Sequence, residues 1–300
     1  MCGLFGFVRP AGASAKATAA IFSDLGHLAT ERGRDASGWA TLSHPKSPTW
    51  RTVKAPMPFD RLWATRTRSE DRVLLSARAA MGHTRAASQG AVGRMANCSP
   101  MAAGHILGTH NGDTDAADLA RRFGIDRRRL AGQTDTEVLL RALGRAPSRQ
   151  VLEAVVGRVA LVWADRHRPG RLFLARGAWS PLYVAQASDG VLWWASSPSW
   201  LDEAGVDAAE VYRLAEGTLL EVDLAKARSV RSRRFVPTAR QRDDWAAKYA
   251  YAGIDPQEAA EDMARHVHRA RSERPLALVP PRNLAPSCAG MPQYLGAAAS

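Results

Sequence analysis

The chain has 300 residues, 46% of them hydrophobic and 23% charged, which is enough to bury one large core or two modest ones and excludes a globally disordered chain. No apolar run approaches the roughly 20 residues of a spanning helix, and the N-terminus lacks the features of a secretory signal, so a cytoplasmic protein with no membrane partner is expected. The net charge of +12 comes from scattered arginines rather than one basic stripe, which argues against nucleic acid as a partner.

The predicted elements begin with a short buried strand at residues 4–8. A helix follows, because Ala17, Ala20, Ile21, Leu25 and Leu28 recur at helical spacing after a Ser14 cap candidate. Residues 43–60, rich in Pro, Ser and Thr, are typical of a loop. Further strands are predicted at 73–81, 105–110, 159–165, 172–176, 183–187, 191–195 and 219–222, and further helices at 116–123, 136–143, 149–156 and 199–204.

This order lacks a regular alternation of strand and helix, so it favours a layered α+β domain over a doubly wound sheet. The domain is predicted to span residues 2–235. A helical extension is expected within 236–274, because a weak apolar stripe runs through 256–271. Residues 275–300 are rich in Pro, Ala, Ser and Gly and are expected to be flexible.

The strongest chemical feature is Cys2, directly after Met1. Loss of the initiator methionine, usual before a small residue, would leave a thiol and a free α-amino group on one residue. An α-amine has a pKa of about 7.7 to 8.0, so it can take the thiol proton and return it to a leaving amine. The alternative is an incidental small residue at the start of a buried strand. The three cysteines include no CxxC pair, so neither a disulfide framework nor a zinc site is indicated.

Three further positions have matching chemistry. Arg85 ends a predicted strand, where a guanidinium can clamp a carboxylate. Asn111 and Gly112 offer a side-chain NH₂ and a backbone N–H, the two donors of an oxyanion hole. Asp135 opens a predicted helix, where it either caps the helix or pairs with a ligand ammonium. Each is ordinary alone, and their combination with Cys2 is not.

At these residues the sequence resembles the class II glutamine amidotransferases, the N-terminal-nucleophile glutaminase domains of glucosamine-6-phosphate synthase and the purine-pathway amidophosphoribosyltransferase. The resemblance covers about residues 2–225 and implies a four-layer αββα fold with two stacked, mostly antiparallel sheets. The motifs that carry it, in family order, are Met1-Cys2-Gly3-Leu4-Phe5-Gly6, Arg32-Gly33-Arg34-Asp35-Ala36-Ser37-Gly38, Gly82-His83-Thr84-Arg85 with Ser88 and Gly90, His110-Asn111-Gly112, and Asp135-Thr136-Glu137.

The resemblance implies that the enzyme releases glutamate and ammonia from L-glutamine without a metal or organic cofactor. The implied roles are Cys2 as nucleophile, Asn111 and Gly112 as oxyanion donors, Arg85 and Asp135 as partners of the substrate carboxylate and ammonium, Ser88 and Gly90 as the rest of the cradle, and Arg32 as a brace beside Cys2. The histidines outside the motifs have no mutual spacing that indicates a metal site: His27, His44, His105, His167, His266 and His268.

Three departures from the family pattern affect the loop that covers the site and any ammonia path more than the chemistry. Ala86 replaces a Trp, Ser88 replaces a Thr, and residues 97–100 read Asn-Cys-Ser-Pro in place of Asn-x-His-Pro. Ser88 keeps a hydroxyl that can still donate or accept a hydrogen bond near the substrate.

Family members couple ammonia release to a second domain, and the roughly 65 residues after Phe235 are too few for one, so a separate ammonia-accepting synthase is expected. The segment from Asp255 onward either docks on that partner or is a solvated tail. Two other functions stay open. Arg85 and Asp135 argue against hydrolysis of another linear amide, and the intact Cys2 argues against a catalytically silent regulatory module.

Overall fold

The computed structural model describes residues 2–42 and 50–237. The strands in chain order are β1 (Gly3–Val8), β2 (Ala36–Leu42), β3 (Trp50–Ala55), β4 (Ala79–Arg85), β5 (Met101–Ala103), β6 (Ile106–Thr114), β7 (Gly157–Asp165), β8 (Arg171–Arg176), β9 (Tyr183–Ala187), β10 (Leu192–Ala195), β11 (Ala208–Arg213), β12 (Thr218–Asp223) and β13 (Val230–Arg234). The helices are α1 (Ala15–Ala29), α2 (Phe59–Ala64), α3 (Arg68–Ser76), α4 (Ala116–Arg122), α5 (Asp135–Leu143), α6 (Ser148–Ala154) and α7 (Pro198–Glu203).

The strands form two antiparallel sheets. The first has the order β11-β9-β10-β1-β4-β2-β3, and the second has the order β13-β12-β8-β7-β6-β5. In the first sheet β1 lies at the centre between β10 and β4, with Gly3 opposite Thr84. In the second sheet β6 pairs along its whole length with β7, and it also lies against β1 and β4 of the first sheet. The start of β1, the end of β4 and strand β6 therefore meet between the sheets.

Side chains that alternate along each strand build the layers. On β1, Phe5 and Phe7 pack outward against α1, where the Phe5 and Phe22 ring centroids are 5.1 Å apart, while Leu4 and Val8 join the core between the two sheets. On β7, Trp163 packs outward into the core shared with α4, α5 and α6. Helices thus cover both outer faces, which confirms the predicted αββα architecture.

Two predicted elements were wrong. Residues 73–76 belong to α3 and only 79–81 of the predicted strand lie in β4. The helix is set by a capping box, in which Thr67 accepts from the Glu70 N–H at 3.3 Å and Glu70 accepts from the Thr67 N–H at 2.6 Å. The predicted loop at 43–60 contains β3, an edge strand that exists because it pairs with β2. The Ser14 cap of α1 is confirmed.

The described residues reach Pro237, just beyond the predicted domain boundary. The predicted helical stretch at 256–271 and the predicted tail at 275–300 lie outside the described residues. In the part of the chain that the structure describes, no helix is both long and apolar enough to cross a membrane.

Candidate active site

Cys2 immediately precedes β1 and is half-buried. Its thiol donates a hydrogen bond to the Ala86 carbonyl oxygen, with a sulfur to oxygen distance of 3.5 Å. The next residue must be glycine, because a Cβ on Gly3 would lie 2.6 Å from Thr84 Oγ1 and 3.0 Å from the Trp200 ring. Burial raises the pKa of the Cys2 thiol above its ordinary value, so the sulfur is neutral near pH 7.

Arg85 and Asp135 lie close enough to Cys2 for their charges to act on its thiol. Burial is the main cause of the raised pKa of the Cys2 thiol. The Asp135 carboxylate raises this pKa further, and the Arg85 guanidinium lowers it. Both side chains are buried, at 5% exposure each. A thiol, a cation and an anion therefore lie near one another, although they come from the start of the chain, the end of β4 and the first turn of α5.

The Arg85 guanidinium is held at the end of β4 by the loop that follows. It donates to the carbonyl oxygens of Gln89 at 2.6 Å and Gly90 at 3.0 Å. Ser88 is exposed on the same loop. A Cβ on Gly90 would lie 2.9 Å from Asn97 Nδ2, so the backbone there approaches its neighbour closely. The loop therefore brings Gly90 to the predicted carboxylate clamp.

Asp135 does not cap α5, so the capping interpretation of this residue was wrong. Thr134 is the cap, because its hydroxyl accepts from the Glu137 N–H. Asp135 instead accepts from the backbone N–H of Thr114 at 2.8 Å, which ties the start of α5 to the end of β6. The position of its carboxylate is thus fixed by a strand of the second sheet.

Asn111 and Gly112 lie on β6, where it faces β1 and β4. The Asn111 side chain is 2% exposed, and its Nδ2 is buried without a hydrogen-bond partner among the described residues. A buried donor without a partner costs about 1 to 3 kcal/mol, and this amide nitrogen is available to donate to a ligand. At Gly112 a Cβ would lie 2.0 Å from the Arg158 carbonyl oxygen, so only glycine allows β6 and β7 to approach this closely.

His83 and His110 form a buried pair behind these donors. His83 Nε2 donates to the His110 carbonyl oxygen at 3.1 Å, and His110 Nε2 donates to the Arg158 carbonyl oxygen at 3.2 Å. Burial lowers the pKa of His83 to about 3, so its ring is neutral. These two rings join β4, β6 and β7 beneath the site.

The Arg32 guanidinium lies near enough to Cys2 for their charges to interact, and it bonds to the residue that binds the start of β1. Arg32 Nη1 donates to the Ser196 carbonyl oxygen at 3.1 Å, and the Ser196 hydroxyl accepts from the Leu4 N–H at 2.9 Å. The guanidinium also lies 6.0 Å from the Trp200 ring centroid. Sequence reasoning missed the bond from Trp200 Nε1 to Glu31 Oε1, 2.6 Å long, because the two residues are 169 positions apart and belong to no shared motif.

The departures at residues 97–100 are accommodated by other polar contacts. Asn97 is fully buried, and its side chain accepts from the Gln133 N–H at 2.8 Å and donates to the Ala91 carbonyl oxygen at 3.0 Å. Lys54 Nζ donates to the Cys98 carbonyl oxygen at 2.8 Å. Because Asn97 joins the loop after Arg85 to the approach to α5, the cradle is held together without the histidine of the family pattern.

Comparison with known proteins gives a family match and two similar folds. Residues 83–203 match a family model described as a glutamine amidotransferase domain. This stretch includes Arg85, Asn111 and Asp135 but not Cys2 or Arg32.

One similar solved structure is the glutamine phosphoribosylpyrophosphate amidotransferase from B. subtilis complexed with ADP and GMP, with a TM-score of 0.60 and 18% identity over 79% of this chain and 50% of that chain. A second is described as the allosteric regulatory enzyme of purine biosynthesis, with a TM-score of 0.59 and 20% identity over the same shares. This chain thus spans about half the length of each, and the likeness concerns the fold. No curated protein sequence matches the chain.

Proposed function

We propose that this chain carries a glutamine amidotransferase domain with the N-terminal-nucleophile fold, in which Cys2 hydrolyses the side-chain amide of L-glutamine and releases ammonia for a separate acceptor enzyme. The observation that carries the proposal is the convergence on the Cys2 thiol of a buried cation, Arg85, and a buried anion, Asp135. A free α-amino acid has one carboxylate and one ammonium, so a pocket with one charge of each sign matches its two ends.

The first half of the reaction needs a base, because burial keeps the thiol neutral. Loss of Met1 leaves that base on the nucleophile itself, as the α-amino group of Cys2. The amine takes the thiol proton while sulfur attacks the amide carbon. The tetrahedral oxyanion accepts hydrogen bonds from Asn111 Nδ2 and the Gly112 N–H, and the Cys2 ammonium then protonates the departing nitrogen. Ammonia leaves, and a γ-glutamyl thioester stays on Cys2.

The second half consumes one water. The α-amine takes a proton from water, the hydroxyl oxygen adds to the thioester carbon, and the same two donors hold the new oxyanion. The carbon–sulfur bond breaks, the sulfur recovers its proton, and glutamate departs. Neither half of the reaction written in this way requires a metal or a redox partner.

The substrate cradle is assigned to the side chains around the thiol. Arg85 binds the α-carboxylate, Asp135 binds the α-ammonium, and Ser88 and Gly90 complete the cradle on the loop after β4. Arg32 positions the start of β1 through its bond to the Ser196 carbonyl oxygen and does not touch the substrate.

The proposal includes a separate synthase as acceptor and a cytoplasmic location. A reducing compartment suits a reaction that needs a free thiol, and both described cysteines, Cys2 and Cys98, are free.

The test is intact-mass analysis of the purified full chain with and without 6-diazo-5-oxonorleucine, an electrophilic glutamine analogue. We expect a mass that lacks Met1 and a single adduct, which Cys2→Ala abolishes. Cys98→Ala is the matched control and should label like the parent, because Cys98 is buried. An unlabelled chain that retains Met1 would contradict the proposal. Labelling without release of ammonia from glutamine would favour another linear amide as substrate.

A further inference from the structure

A second cluster of ligand-type side chains lies at the opposite end of β6 from Asn111. Strand β6 begins at Ile106, which pairs with Asp165, the last residue of β7. A strand rises about 3.3 Å per residue, so His105 and Asn111 are separated by about 20 Å along the strand. The cluster is thus distinct from the candidate active site.

The cluster consists of His105, Asp165 and His167. Each offers one ligand atom, and these atoms all lie within 4.8 Å of one another, the one such group among the described residues. His105 Nε2 lies 3.8 Å from Asp165 Oδ1, and the two imidazole ring centroids are 3.9 Å apart at an interplanar angle of 17°. The spacing along the chain gave no sign of this group, because only the pairing of β6 with β7 brings His105 to the other two.

We propose that His105, Asp165 and His167 bind one divalent transition-metal ion of the zinc class. Two imidazole nitrogens and one carboxylate oxygen form a donor set that suits Zn²⁺ and its neighbours, with a remaining position for water or an anion. Zinc bonds of about 2.0 to 2.2 Å place ligand atoms roughly 3.4 Å apart in a tetrahedral site. The ligand atoms of the three side chains therefore need to move about 1 Å closer together.

The backbone beneath the cluster is already ordered, so binding needs only side-chain movement. The Arg166 N–H donates to the His105 carbonyl oxygen at 3.0 Å, and the His167 N–H donates to Asp165 Oδ1 at 2.8 Å. Stacked rings cannot aim their in-plane lone pairs at one ion, so one ring must turn. His167 is exposed, whereas His105 has 27% of its side chain exposed, so His167 is the ring with room to do so.

Two arginines flank His167 in sequence, Arg166 and Arg168, and both are exposed, so solvent screens their repulsion of the ion. Arg168 Nη2 lies 3.0 Å from a Glu221 carboxylate oxygen, and its guanidinium lies 4.7 Å from the Phe173 ring centroid. The Glu221 carboxylate, which also faces two other guanidinium groups, offsets part of the Arg168 charge.

The experiment is calorimetric titration of ZnCl₂ into the full-length chain carrying Cys2→Ala, so that the N-terminal thiol and amine cannot compete for the ion. We expect tight binding that His105→Ala and His167→Gln each weaken by about 10- to 100-fold or abolish. His27→Ala is the matched control, because His27 is exposed and bound to a single carboxylate, Asp60, at 2.7 Å without a second imidazole. It should bind zinc like the parent.

Thermal unfolding with EDTA checks that the variants fold, and His167→Gln is the decisive variant because it alters an exposed side chain. Added zinc should raise the melting temperature of the parent and of His27→Ala, but not that of His167→Gln. Equal zinc affinity and an equal thermal shift in the parent and His167→Gln would overturn the proposal.

Discussion

A pair of histidines lies near each end of β6, and the two pairs differ in burial and in their contacts. His83 and His110 are buried beneath the candidate active site, and each donates a ring N–H to a backbone carbonyl oxygen. His105 and His167 stack on one another at the solvent-facing end, beside Asp165. Solvent access separates a histidine that joins strands from one that can bind a metal ion.

The polar groups near the two pairs differ in solvent access in the same way. At the buried end Asn111 Nδ2 is without a hydrogen-bond partner among the described residues, and Asp135 is bound to a backbone N–H. Both groups are buried, and electrostatic contacts are stronger there than in water. At the open end water competes for every ligand, so function there depends on chelation by several groups at once. Three variants test this contrast.

The largest effect is expected for Asn111→Ala. Loss of one oxyanion donor should lower kcat for glutamine hydrolysis by about 100- to 1000-fold. Stability should change little, because the amide has no bond to lose in the described residues. The matched control is Asn97→Ala, whose buried amide makes two hydrogen bonds and should instead cost stability. Ammonia release and urea unfolding measure the two effects, and a full-rate Asn111→Ala enzyme would remove this residue from the oxyanion site.

The second largest effect is expected for Asp135→Asn. It keeps one oxygen that can accept from the Thr114 N–H, but it removes the negative charge and the bond that Oδ1 accepts from the Thr136 N–H, so the substrate ammonium loses its partner. A charged hydrogen bond contributes about 1.5 to 3 kcal/mol, which predicts a glutamine KM raised by roughly 10- to 150-fold. Asp118→Asn is the control, since Asp118 pairs with Arg122 on α4. Steady-state kinetics decide the point, and an unchanged KM would mean that Asp135 serves only to anchor α5.

The smallest effect is the response to acid, which the buried His83 should control. The folded-state pKa of His83 is about 3, against about 6.5 for an unperturbed histidine. Below pH 6.5 the unfolded chain therefore binds a proton that the folded chain excludes. Stability falls on acidification from pH 6.5 toward 3, by up to about 1.4 kcal/mol per pH unit, or roughly 2 kcal/mol by pH 5.

Urea unfolding at pH 6.5 and pH 5 measures this loss. His83→Gln should lose less stability over the interval than the parent, because its side chain does not titrate. His167→Gln should lose as much as the parent, because His167 is exposed. Parallel losses in all three proteins would show that His83 does not control the acid response.

The sequence predicted the positions of Cys2, Arg85 and Asp135 from short motifs at the start or end of predicted elements. The structure brings these three side chains near one another, and it places Asn111 within β6, which lies against β1 and β4. The group at the other end has no motif, and neither does the contact between Trp200 and Glu31. Both depend on partners far apart in the chain.

Local chemistry in the sequence determined where most of the strands lie and where α1 is capped. It also determined which residues carry the thiol, the guanidinium and the amide. Tertiary structure decided the rest. Edge strand β3 exists only through pairing with β2, Thr134 rather than Asp135 caps α5, and the register of β6 against β7 creates the group of His105, Asp165 and His167. The physical reason is that a periodic pattern or a cap acts within one turn or strand, whereas pairing and burial are set by residues that the chain brings together only when it folds.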